Sequence, residues 1–586
     1  MTLSLLGRVS ADIQRVFASR FGEDAAAHVV RSVQPHFGHF QANGCLALAK
    51  PQKRAPRVLA EEVVTGIRAE GFGWIERAEV AGPGFVNVWV KPESFFELAL
   101  SERSWKPAAC GASVRPQGLR VLIDYSAPNI AKRMHVGHLR TTVIGESLKR
   151  LLRYVDCEVV ADNHLGDWGT NFGLLLAQAE DEGLAASELA TQTLEALEGL
   201  YQRARLRAKD DERFAAKARA HLADLHAGET GALEIWTALC AATRKEVDAV
   251  YARLGVAFDM WRGESYYRDR LAGVVEGLLS AGLAREDDGA VVVFFEENLA
   301  RLGGMAAPKA PFIVRKRDGA FLYSTSDIAT LISRNEELSA DEILYVVDAR
   351  QSLHFQQLFA LGKMLGLGAR CTHVSFGSVL GTDGSPLKSR AGNLMPLLAL
   401  LDAATEKARE RMAEQGIDLE SDVSADTARA VGVGAVIYAD LRQHRGSDYR
   451  FDLDKLISFQ GNSGPYLLYA YARIASMLRQ VDSATHVEAS LDSLDVHSAV
   501  AEEVALAVAL SAFPDAVAHA ANALEPHLLA DHLYSVAREF SAFYAACSVL
   551  GSEGAVRARR LALCHATAQQ LATGLELLGL EVVERM

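Results

Sequence analysis

The chain has 586 residues, of which 49% are hydrophobic and 23% are charged, and its formal net charge is 61 − 74 = −13. At roughly 100–200 residues per domain, this length predicts about three domains, and the ordinary composition favours a folded soluble chain over a disordered one. Because phosphate binding needs clustered Lys and Arg, any nucleic-acid contact must come from local basic patches on an acidic body.

Cysteine usage and hydropathy favour a cytoplasmic protein. Seven cysteines are present, and the closest two, Cys547 and Cys564, are 17 positions apart, so no zinc or redox motif is visible. An odd number of unpatterned cysteines is typical of reduced thiols. Arg8 and Asp12 interrupt the first apolar run, which predicts an amphipathic helix and not a signal peptide. No uncharged apolar run reaches about 18 residues, so we expect no membrane span.

Residues 1–107 are predicted to form a small α+β domain. Val64–Arg68 has a helical pattern, and the turn Gly82–Gly84 precedes the alternating strand Phe85–Val90. Prolines and glycines between residues 105 and 118 indicate a linker to the next domain.

Residues 115–425 are predicted to form a doubly wound, Rossmann-like α/β domain, because short apolar runs alternate with helical patterns such as Thr141–Tyr154. The predicted strands are Arg120–Tyr125, Glu158–Ala161, Ile343–Val347 and Val374–Leu380. Residues 175–300 are mostly helical in pattern and carry no readable chemical motif, so we interpret them as an insertion. Residues 426–586 predict an all-helical domain.

The most informative stretch runs from Asp124 to Arg140, where the first strand ends and a helix begins. Ligands bind at this edge of an open α/β sheet, and a helix N-terminus presents free N–H groups to phosphate. His135 and His138 are expected on one helix face, and Gly137 between them lets a flat group such as a purine approach. Taken alone, the two histidines could equally be ordinary helix-start residues.

The surroundings of the two histidines resemble one family. The HxGH core resembles the HIGH signature of class I aminoacyl-tRNA synthetases, and the flanks SAPNIAK and LRTTVIGESLKRLL resemble the arginyl branch. The segment Asn163–Gly173 resembles the NHxGDWGTxFG motif of the same branch. The sequence is therefore identified as similar to the arginyl-tRNA synthetases over nearly its whole length, least so across residues 175–300.

A second loop, Gly381–Asn393, resembles the family's KMSKS loop with a departure. The first lysine is missing, and Ser389 stands where the second lysine normally meets pyrophosphate. The resemblance implies that Lys132, just before the histidine motif, replaces that lysine, with Lys388 and Arg390 as further candidates. A solvated loop remains an alternative for Lys388. The implied catalytic residues are Lys132, His135, His138, Lys388 and Arg390, and the implied ATP contacts are Met134, His135, Gly137, His138, Leu387 and Ser389.

Arginine has a planar guanidinium with five donors, so its pocket must be anionic. Asp327 is the best acid, since Tyr323–Ala329 resembles the family pattern YxTxDIA. Asp327 could instead be an N-cap of the following helix. The resemblance implies an arginine pocket of Asp124, Ser126, Asn129, His138, Tyr323, Asp327 and Gln351. Lysine is expected to be rejected because it cannot make the bidentate pair.

The helical domain carries aromatic and basic residues at Tyr466, Tyr469 and Arg473, which could stack on unpaired bases or simply pack as one helix face. Their stretch resembles the family's anticodon-binding motif GPYLxYAxAR, and the chain end at Met586 also resembles the family. These four residues are candidate tRNA contacts.

The first domain resembles the family's additional N-terminal domain, which contacts the tRNA elbow. Gln41 and Asn43 are weak candidates for base contacts there, and a structural role is the favoured interpretation. The family usually has an acid where this chain has His39, so no role is predicted for His39.

The sequence therefore predicts an arginine–tRNA ligase that forms arginyl-adenylate from L-arginine and ATP and transfers the arginine to the terminal adenosine of its tRNA. The resemblance also implies Mg²⁺ bound with ATP, no structural metal, a requirement for bound tRNA before activation, and a monomer. Two alternatives stay open: a synthetase for another amino acid such as glutamate or cysteine, and a catalytically inactive tRNA-binding relative.

Overall fold

The computed structural model describes residues 4–32, 34, 37–101, 105, 115–385, 395–414, 422–481 and 491–586. Its helices and strands form three successive groups, and the first is a small mixed group. That group contains α1 (Leu5–Phe21), β1 (Val29–Arg31), β2 (Phe40–Ala42), α2 (Gly44–Gln52), α3 (Pro56–Glu70), β3 (Ile75–Ala81), β4 (Phe85–Val90) and α4 (Pro92–Leu100).

The first group is an antiparallel sheet, in the order β1-β2-β4-β3, covered by helices. The predicted turn at Gly82–Gly84 joins β3 to β4, and Gly82 has a φ of 50°, a conformation that favours glycine. Helix α1 buries Val9, Ile13 and Val16, whose spacing of three and four residues gives the helix one apolar face. The predicted α+β unit with its amphipathic first helix is confirmed.

The second group begins at residue 120 and contains the parallel sheet. Its elements are β5 (Arg120–Asp124), α5 (Val136–Tyr154), β6 (Glu158–Asp162), α6 (Asn171–Asp181), α7 (Ala186–Leu189), α8 (Leu194–Asp210), α9 (Glu212–Ala227), α10 (Thr230–Leu254), α11 (Leu271–Ser280), β7 (Arg285–Asp287), β8 (Ala290–Val293), β9 (Phe312–Arg315), α12 (Tyr323–Glu336), β10 (Glu342–Tyr345), α13 (Ser352–Met364), β11 (Arg370–His373), β12 (Val379–Leu380) and α14 (Leu397–Glu414). Short 3₁₀ helices lie at Glu264–Arg270, Phe295–Leu302 and Ala349–Gln351.

The central sheet has the order β11-β10-β5-β6, and all its neighbouring strands are parallel. From β5 the chain continues to β6 on one side and reaches β10 on the other. The direction of winding therefore changes between β5 and β10, and ligands bind outside the carboxyl ends of the strands at such a point. Asp124, the last residue of β5, is level with Asp162 of β6 and Tyr345 of β10. The predicted doubly wound parallel sheet is confirmed.

The segment between the sheet's two halves is largely helical, as predicted for residues 175–300, but it also contains strands. β7 and β8 pair antiparallel with each other, and β8 pairs with β9, which gives a small three-stranded sheet. The apolar run Val291–Val293 is too short for periodicity to distinguish a strand from a buried helical turn, so the sequence did not reveal this sheet.

The third group is helical and contains one two-residue strand. Its elements are α15 (Asp422–Leu441), β13 (Tyr449–Arg450), α16 (Leu453–Leu456), α17 (Gly464–Leu478), α18 (Ala501–Leu510), α19 (Phe513–Ala523), α20 (His527–Ala546) and α21 (Gly554–Leu577). Strand β13 pairs in parallel with β12, so the prediction of a purely helical end missed a connection to the preceding group. Short 3₁₀ turns lie at Leu491–Leu494 and Val496–Ser498.

One stretch, Ala501–Ala523, is long and apolar enough to cross a membrane by length and composition alone. Of its most apolar window, 61% is buried inside the protein, and core helices pass the same test. The stretch is divided between α18 and α19, which pack against α20. It is therefore weak evidence for a membrane span.

Candidate active site

The two histidines of the HxGH motif close the N-terminus of α5 through reciprocal hydrogen bonds. His135 precedes the helix as its N-cap, and its Nδ1 accepts the N–H of Gly137 at 3.0 Å. The Nδ1 of His138, in the first turn, accepts the N–H of His135 at 3.1 Å. The two rings therefore lie side by side at the helix N-terminus, as their spacing predicts, but His135 is the N-cap and not a residue within the helix. The first N–H groups of a helix have no partner within the helix, and the His135 ring accepts one of them as a cap.

These bonds fix the protonation of both rings. A backbone N–H can only donate, so each Nδ1 is an acceptor and the ring proton of the neutral form is on Nε2. Burial, together with the neighbouring His135, lowers the pKa of His138 to about 3, and burial also lowers the pKa of His135. The two rings, 4.1 Å apart between centroids, are therefore neutral Nε2–H donors at physiological pH.

Glycine is required between the histidines for a local reason. A Cβ on Gly137 would lie 2.8 Å from the His135 ring, too close for the cap to form. Met134 is buried, whereas Gly137 is exposed at the helix start. Of the sequence-predicted ATP contacts, the structure therefore brings His135, Gly137 and His138 to one surface and places the Met134 side chain beneath it.

Both ends of the KMSKS-like loop are attached near this helix. After the loop, Leu397 donates its N–H to the carbonyl of Met134, and Val136 donates to the carbonyl of Met395, at 2.9 and 3.0 Å. Before the loop, β12 pairs with β13. Four predicted site residues, Leu387, Lys388, Ser389 and Arg390, lie outside the described residues. The ends that flank them belong to the same edge of the sheet as the histidines.

Tyr323 and Asp327 lie one turn apart on α12. Helix α12 begins at Tyr323 with Leu322 as its N-cap, so the alternative reading of Asp327 as an N-cap is wrong. His354 of α13 donates from Nε2 to Asp327 Oδ2 at 2.6 Å, and its ring lies 5.1 Å from the exposed ring of Tyr323. Gln351 is exposed at the N-cap of α13, one turn before His354. Three predicted pocket residues are thus brought together.

His164, two residues before the Gly-Asp-Trp-Gly motif, lies beside Asp327. Its Nδ1 donates to the carbonyl of Arg262 at 2.7 Å, so the Nε2 of the neutral ring is a free acceptor. That Nε2 is buried, has no hydrogen-bond partner among the described residues, and lies 4.0 Å from Asp327 Oδ1. An unsatisfied buried acceptor beside a carboxylate suits a substrate donor such as a guanidinium.

Glu264 and His354 are site residues that sequence reasoning missed. Burial raises the pKa of Glu264, and the neighbouring carboxylates of Asp327 and Asp167 raise it further, while His164 lowers it. Burial likewise raises the pKa of Asp167, whose carboxylate accepts the N–H and hydroxyl of Ser265. Only the tertiary fold brings these residues together, although the run Gly263-Glu-Ser265 could have marked a polar turn.

Asp124 is buried and already paired within the chain. Its carboxylate lies 2.7 Å from the guanidinium of Arg334, which also contacts Asp162 at 2.9 Å. Arg334 is wholly buried. Burial raises the pKa of Asp124 and Arg334 opposes that rise. Asp124 is therefore an electrostatic neighbour of the pocket, since His164 also acts on its carboxyl group.

The other two predicted arginine contacts lie in the loop after β5. Ser126, with a φ of 71°, is buried, and its hydroxyl is hydrogen bonded to Tyr251 and Thr142 at 2.7 and 2.8 Å. Asn129 is exposed and its backbone bridges to Gly166. The structure thus gives Ser126 a role in holding the loop, while Asn129 is accessible.

Three of the four predicted tRNA contacts in the helical group meet in one cleft of about 670 Å³. Its lining includes Tyr469, Arg473, Arg479, Tyr544, Arg585 and Met586. The Arg473 guanidinium lies 4.1 Å from the centre of the Tyr544 ring, as a stacked platform. Tyr466 instead packs against the core and hydrogen bonds Ser541 at 3.1 Å.

In the first group, Gln41 lies in β2 and Asn43 directly follows that strand. Gln41 donates from Nε2 to Asn87 Oδ1 at 2.9 Å across β2 and β4. Asn43 is the N-cap residue of α2, and its buried Oδ1 has no hydrogen-bond partner among the described residues. His39 accepts the N–H of Val90 on Nδ1 and packs against Phe95. These contacts give Gln41 and His39 structural roles.

Metal ligation is not visible in the part of the chain that the structure describes. No group of three or more His, Cys, Asp or Glu side chains there has the arrangement to hold a metal ion. A divalent ion at this site would need oxygen atoms from a bound phosphate group.

Comparison with known proteins agrees with this geometry. Family models described as "Arginyl tRNA synthetase N terminal domain", "tRNA synthetases class I (R), catalytic domain" and "DALR anticodon binding domain" match residues 5–90, 111–453 and 467–586. The chain is 43% identical to the arginine–tRNA ligase of Frankia casuarinae, covering 99% of this chain and 97% of that one. It is 40% identical to the same ligase of Chromobacterium violaceum, covering 99% of both.

Two solved structures have the same architecture. The arginyl-tRNA synthetase of Plasmodium falciparum superposes with a TM-score of 0.83 at 26% identity, over the whole of both chains. That of Thermus thermophilus superposes with a TM-score of 0.80 at 25% identity, covering 99% of this chain and 100% of that one.

The parallel sheet, the histidine pair at its carboxyl edge and the matched catalytic family define a class I aminoacyl-tRNA synthetase. Because the full-length relatives share 40% identity or more, the chain belongs to the arginyl-tRNA synthetase family. The resemblance read from the motifs is confirmed. The chain is an ATP-using arginine–tRNA ligase, and synthetases for glutamate or cysteine are no longer alternatives.

Proposed function

We propose that the edge of the sheet between β5 and β10 carries out both steps of arginine ligation. In the first, a carboxylate oxygen of arginine attacks the α-phosphorus of ATP. The bond from that phosphorus to the bridging oxygen breaks, and pyrophosphate leaves with the electron pair. In the second, a hydroxyl oxygen of the terminal adenosine of tRNA bonds to the arginyl carbonyl carbon, and the hydroxyl proton is released. The bond from that carbon to the phosphate oxygen breaks, and AMP leaves with the electron pair.

The histidine pair carries this proposal. Negative charge develops on the α-phosphate oxygens in the transition state, and donors fixed in advance stabilise it without reorganisation. The Nε2–H groups of His135 and His138 are such donors, because both Nδ1 atoms are held by backbone N–H groups. Their lowered pKa keeps both rings neutral, so each presents one Nε2–H donor.

The cations of the reaction come from beside the helix and from the second loop. Lys132, three residues before His135, is proposed to stabilise the leaving pyrophosphate in place of the missing signature lysine. Lys388 and Arg390, with the neighbouring Leu387 and Ser389, keep the ATP-binding roles that the family resemblance implies. Mg²⁺ bound to the ATP phosphates would supply further charge neutralisation.

The arginine pocket is proposed at Tyr323, Asp327 and Gln351, with Asn129 accessible from the loop after β5. A guanidinium has five donors, and the surface offers the Asp327 carboxylate, the free Nε2 of His164 and the carboxyl of Glu264. Asp124 adds negative potential from below, reduced by its pairing with Arg334. A lysine ammonium could not satisfy several convergent acceptors in one plane.

The tRNA is proposed to contact both ends of the chain. We assign residues 1–107 to tRNA binding, residues 115–425 to catalysis and residues 426–586 to the anticodon. Tyr469, Arg473 and Met586 are the proposed base contacts, supported by their shared cleft. Asn43 and Gln41 are weaker candidates because Gln41 is bonded to Asn87. We further propose a cytoplasmic monomer.

Arginine-dependent exchange of pyrophosphate into ATP, measured with tRNA present, tests the role of the histidines. His138→Ala is expected to slow exchange by about 10²–10³-fold. The same change at the 80% exposed His497 is the control and should leave the rate unchanged. An unchanged rate in His138→Ala would contradict the assignment.

A further inference from the structure

The inserted helices contact residues 131–133, which lie just before the histidine motif, and their contact with Arg133 is electrostatic. The carboxylate of Glu198, on α8, accepts both the backbone N–H and the Nε of Arg133 at 2.9 Å. Glu195, one turn earlier on α8, lies 3.3 Å from the same guanidinium. The charge of Arg133 is thus neutralised by the insertion and is not available to a phosphate.

The inserted helices contact Ala131 through its backbone. Ala131 has a φ of 59°, a left-handed conformation that costs a non-glycine residue energy. Its N–H donates to the hydroxyl of Thr243, on α10, at 2.9 Å. Ile130 and Ala131 also belong to the apolar cluster that α8 and α10 form with Leu200 and Leu239. The insertion therefore holds the strained loop in place.

Lys132, between these two residues, is held in a different way. Its Nζ lies 5.3 Å from the centre of the Tyr201 ring, also on α8. The Tyr201 hydroxyl donates to Asn171 Oδ1 at 2.9 Å, which fixes the ring against the start of α6. Among the described residues no carboxylate lies within ion-pair distance of Lys132. An aromatic face attracts an ammonium without cancelling its charge.

We propose that the insertion positions Lys132 for catalysis and that Tyr201 is the positioning residue. The inference rests on the proposed role of Lys132 toward pyrophosphate. Carboxylates fix the neighbouring backbone through Arg133, while the Tyr201 ring holds the Lys132 ammonium and leaves it charged. Residues 175–300 would therefore have a function in the activation of arginine. They would position Lys132, whereas a lysine of the KMSKS loop would be positioned by that loop.

The test is a double-mutant cycle on arginine-dependent ATP–pyrophosphate exchange with tRNA present. Tyr201→Leu removes the ring face, and Tyr201→Phe keeps it while removing the bond to Asn171. Each is made in the natural chain and in the Lys132→Met background. Tyr201→Leu should lower kcat by roughly fivefold and leave the KM for arginine unchanged, and Tyr201→Phe should stay within about twofold of the natural rate. In the Lys132→Met background, Tyr201→Leu should cause no further loss.

Two results would overturn the inference: an unchanged rate in Tyr201→Leu, or an equal loss in both backgrounds, which would mean that Tyr201 does not act through Lys132. Thermal unfolding of each variant shows whether it is folded, and Tyr201→Met is a second non-aromatic replacement if the leucine variant is not. Absence of exchange in the natural chain would instead contradict the proposed reaction itself, and the inference with it.

Discussion

The guanidinium of Arg140, two residues beyond His138, is buried against the carboxylate of Asp440 in α15, with Nε 3.2 Å from Oδ2. Arg140 also donates from Nη1 to the carbonyl of Ser447 at 2.8 Å and lies over the ring of Tyr449. Tyr449 belongs to β13, which pairs with the strand that leads into the KMSKS-like loop. The ion pair therefore connects the histidine helix α5 to α15 of the helical group. Through Tyr449, Arg140 also contacts β13, the partner of the strand before the KMSKS-like loop.

Removal of Arg140 should destabilise this junction strongly. Arg140→Met leaves the Asp440 carboxylate buried without its cation, which typically costs about 3–5 kcal/mol. Burial already raises the pKa of Asp440, and Arg140 opposes that rise. Urea unfolding measures the loss. The double variant Arg140→Met/Asp440→Leu should recover much of it, and a double variant as unstable as Arg140→Met would contradict this account.

The histidine pair predicts a pH profile without an ordinary histidine step. Because the pKa of His138 lies at about 3 and that of His135 is also lowered, both rings stay neutral as the pH falls below 6.5. The kcat for ATP–pyrophosphate exchange should show no decline centred near pH 6.5. A decline there that disappears in His138→Asn would show that His138 takes up a proton in this range and would contradict its lowered pKa.

As the pH is lowered, arginine binding should weaken at a higher pH than it would if Glu264 had the usual pKa of a glutamate. The pKa of Glu264 is raised, chiefly by burial, so its carboxylate takes up a proton at a higher pH than usual as the pH falls. The KM for arginine should therefore rise as the pH is lowered from about 8 to about 5. Glu264→Gln should have a higher KM at neutral pH and a flatter profile. An identical profile in both proteins would exclude Glu264 from the pocket.

The cleft at the chain's end predicts a selective loss of tRNA binding. Arg473→Ala removes the cation stacked on Tyr544, and stacking contacts to a base contribute about 1–3 kcal/mol. The KM for tRNA should rise by about tenfold while the KM for arginine stays constant. Arg538→Ala is the matched control, since Arg538 is exposed and paired with Glu539. Equal effects of both variants would indicate a general change in charge.

Local sequence was sufficient for the central sheet and the histidine helix. The apolar runs of β5 and β6 and the helical spacing after Gly137 are strong short-range signals, and the structure has both strands within one residue of prediction. The position of His135 was not predictable in this way, because its capping role depends on hydrogen bonds to Gly137 and His138 and not on periodicity.

The chemistry contributed by distant segments could not be predicted. His354 and His164 meet Asp327 only in the folded chain, and they lie 190 positions apart in sequence (354 − 164). Glu264 comes close enough to Asp327 for their charges to interact only there as well. The pairing of Asp124 with Arg334 has the same origin. The contact between Lys132 and the Tyr201 ring likewise joins the stretch before the histidine motif to the insertion, in which no motif was recognised. Residue types indicate possible roles, but only tertiary contacts reveal partners.

The assigned specificity is best tested by measuring the attachment of radiolabelled amino acids to bulk tRNA, with arginine compared against the other nineteen. Arginine alone should be attached, because the surface around Asp327 offers several acceptors to a guanidinium. Attachment of a different amino acid would contradict the assignment of that pocket, and no attachment of any by the folded protein would contradict the ligase activity.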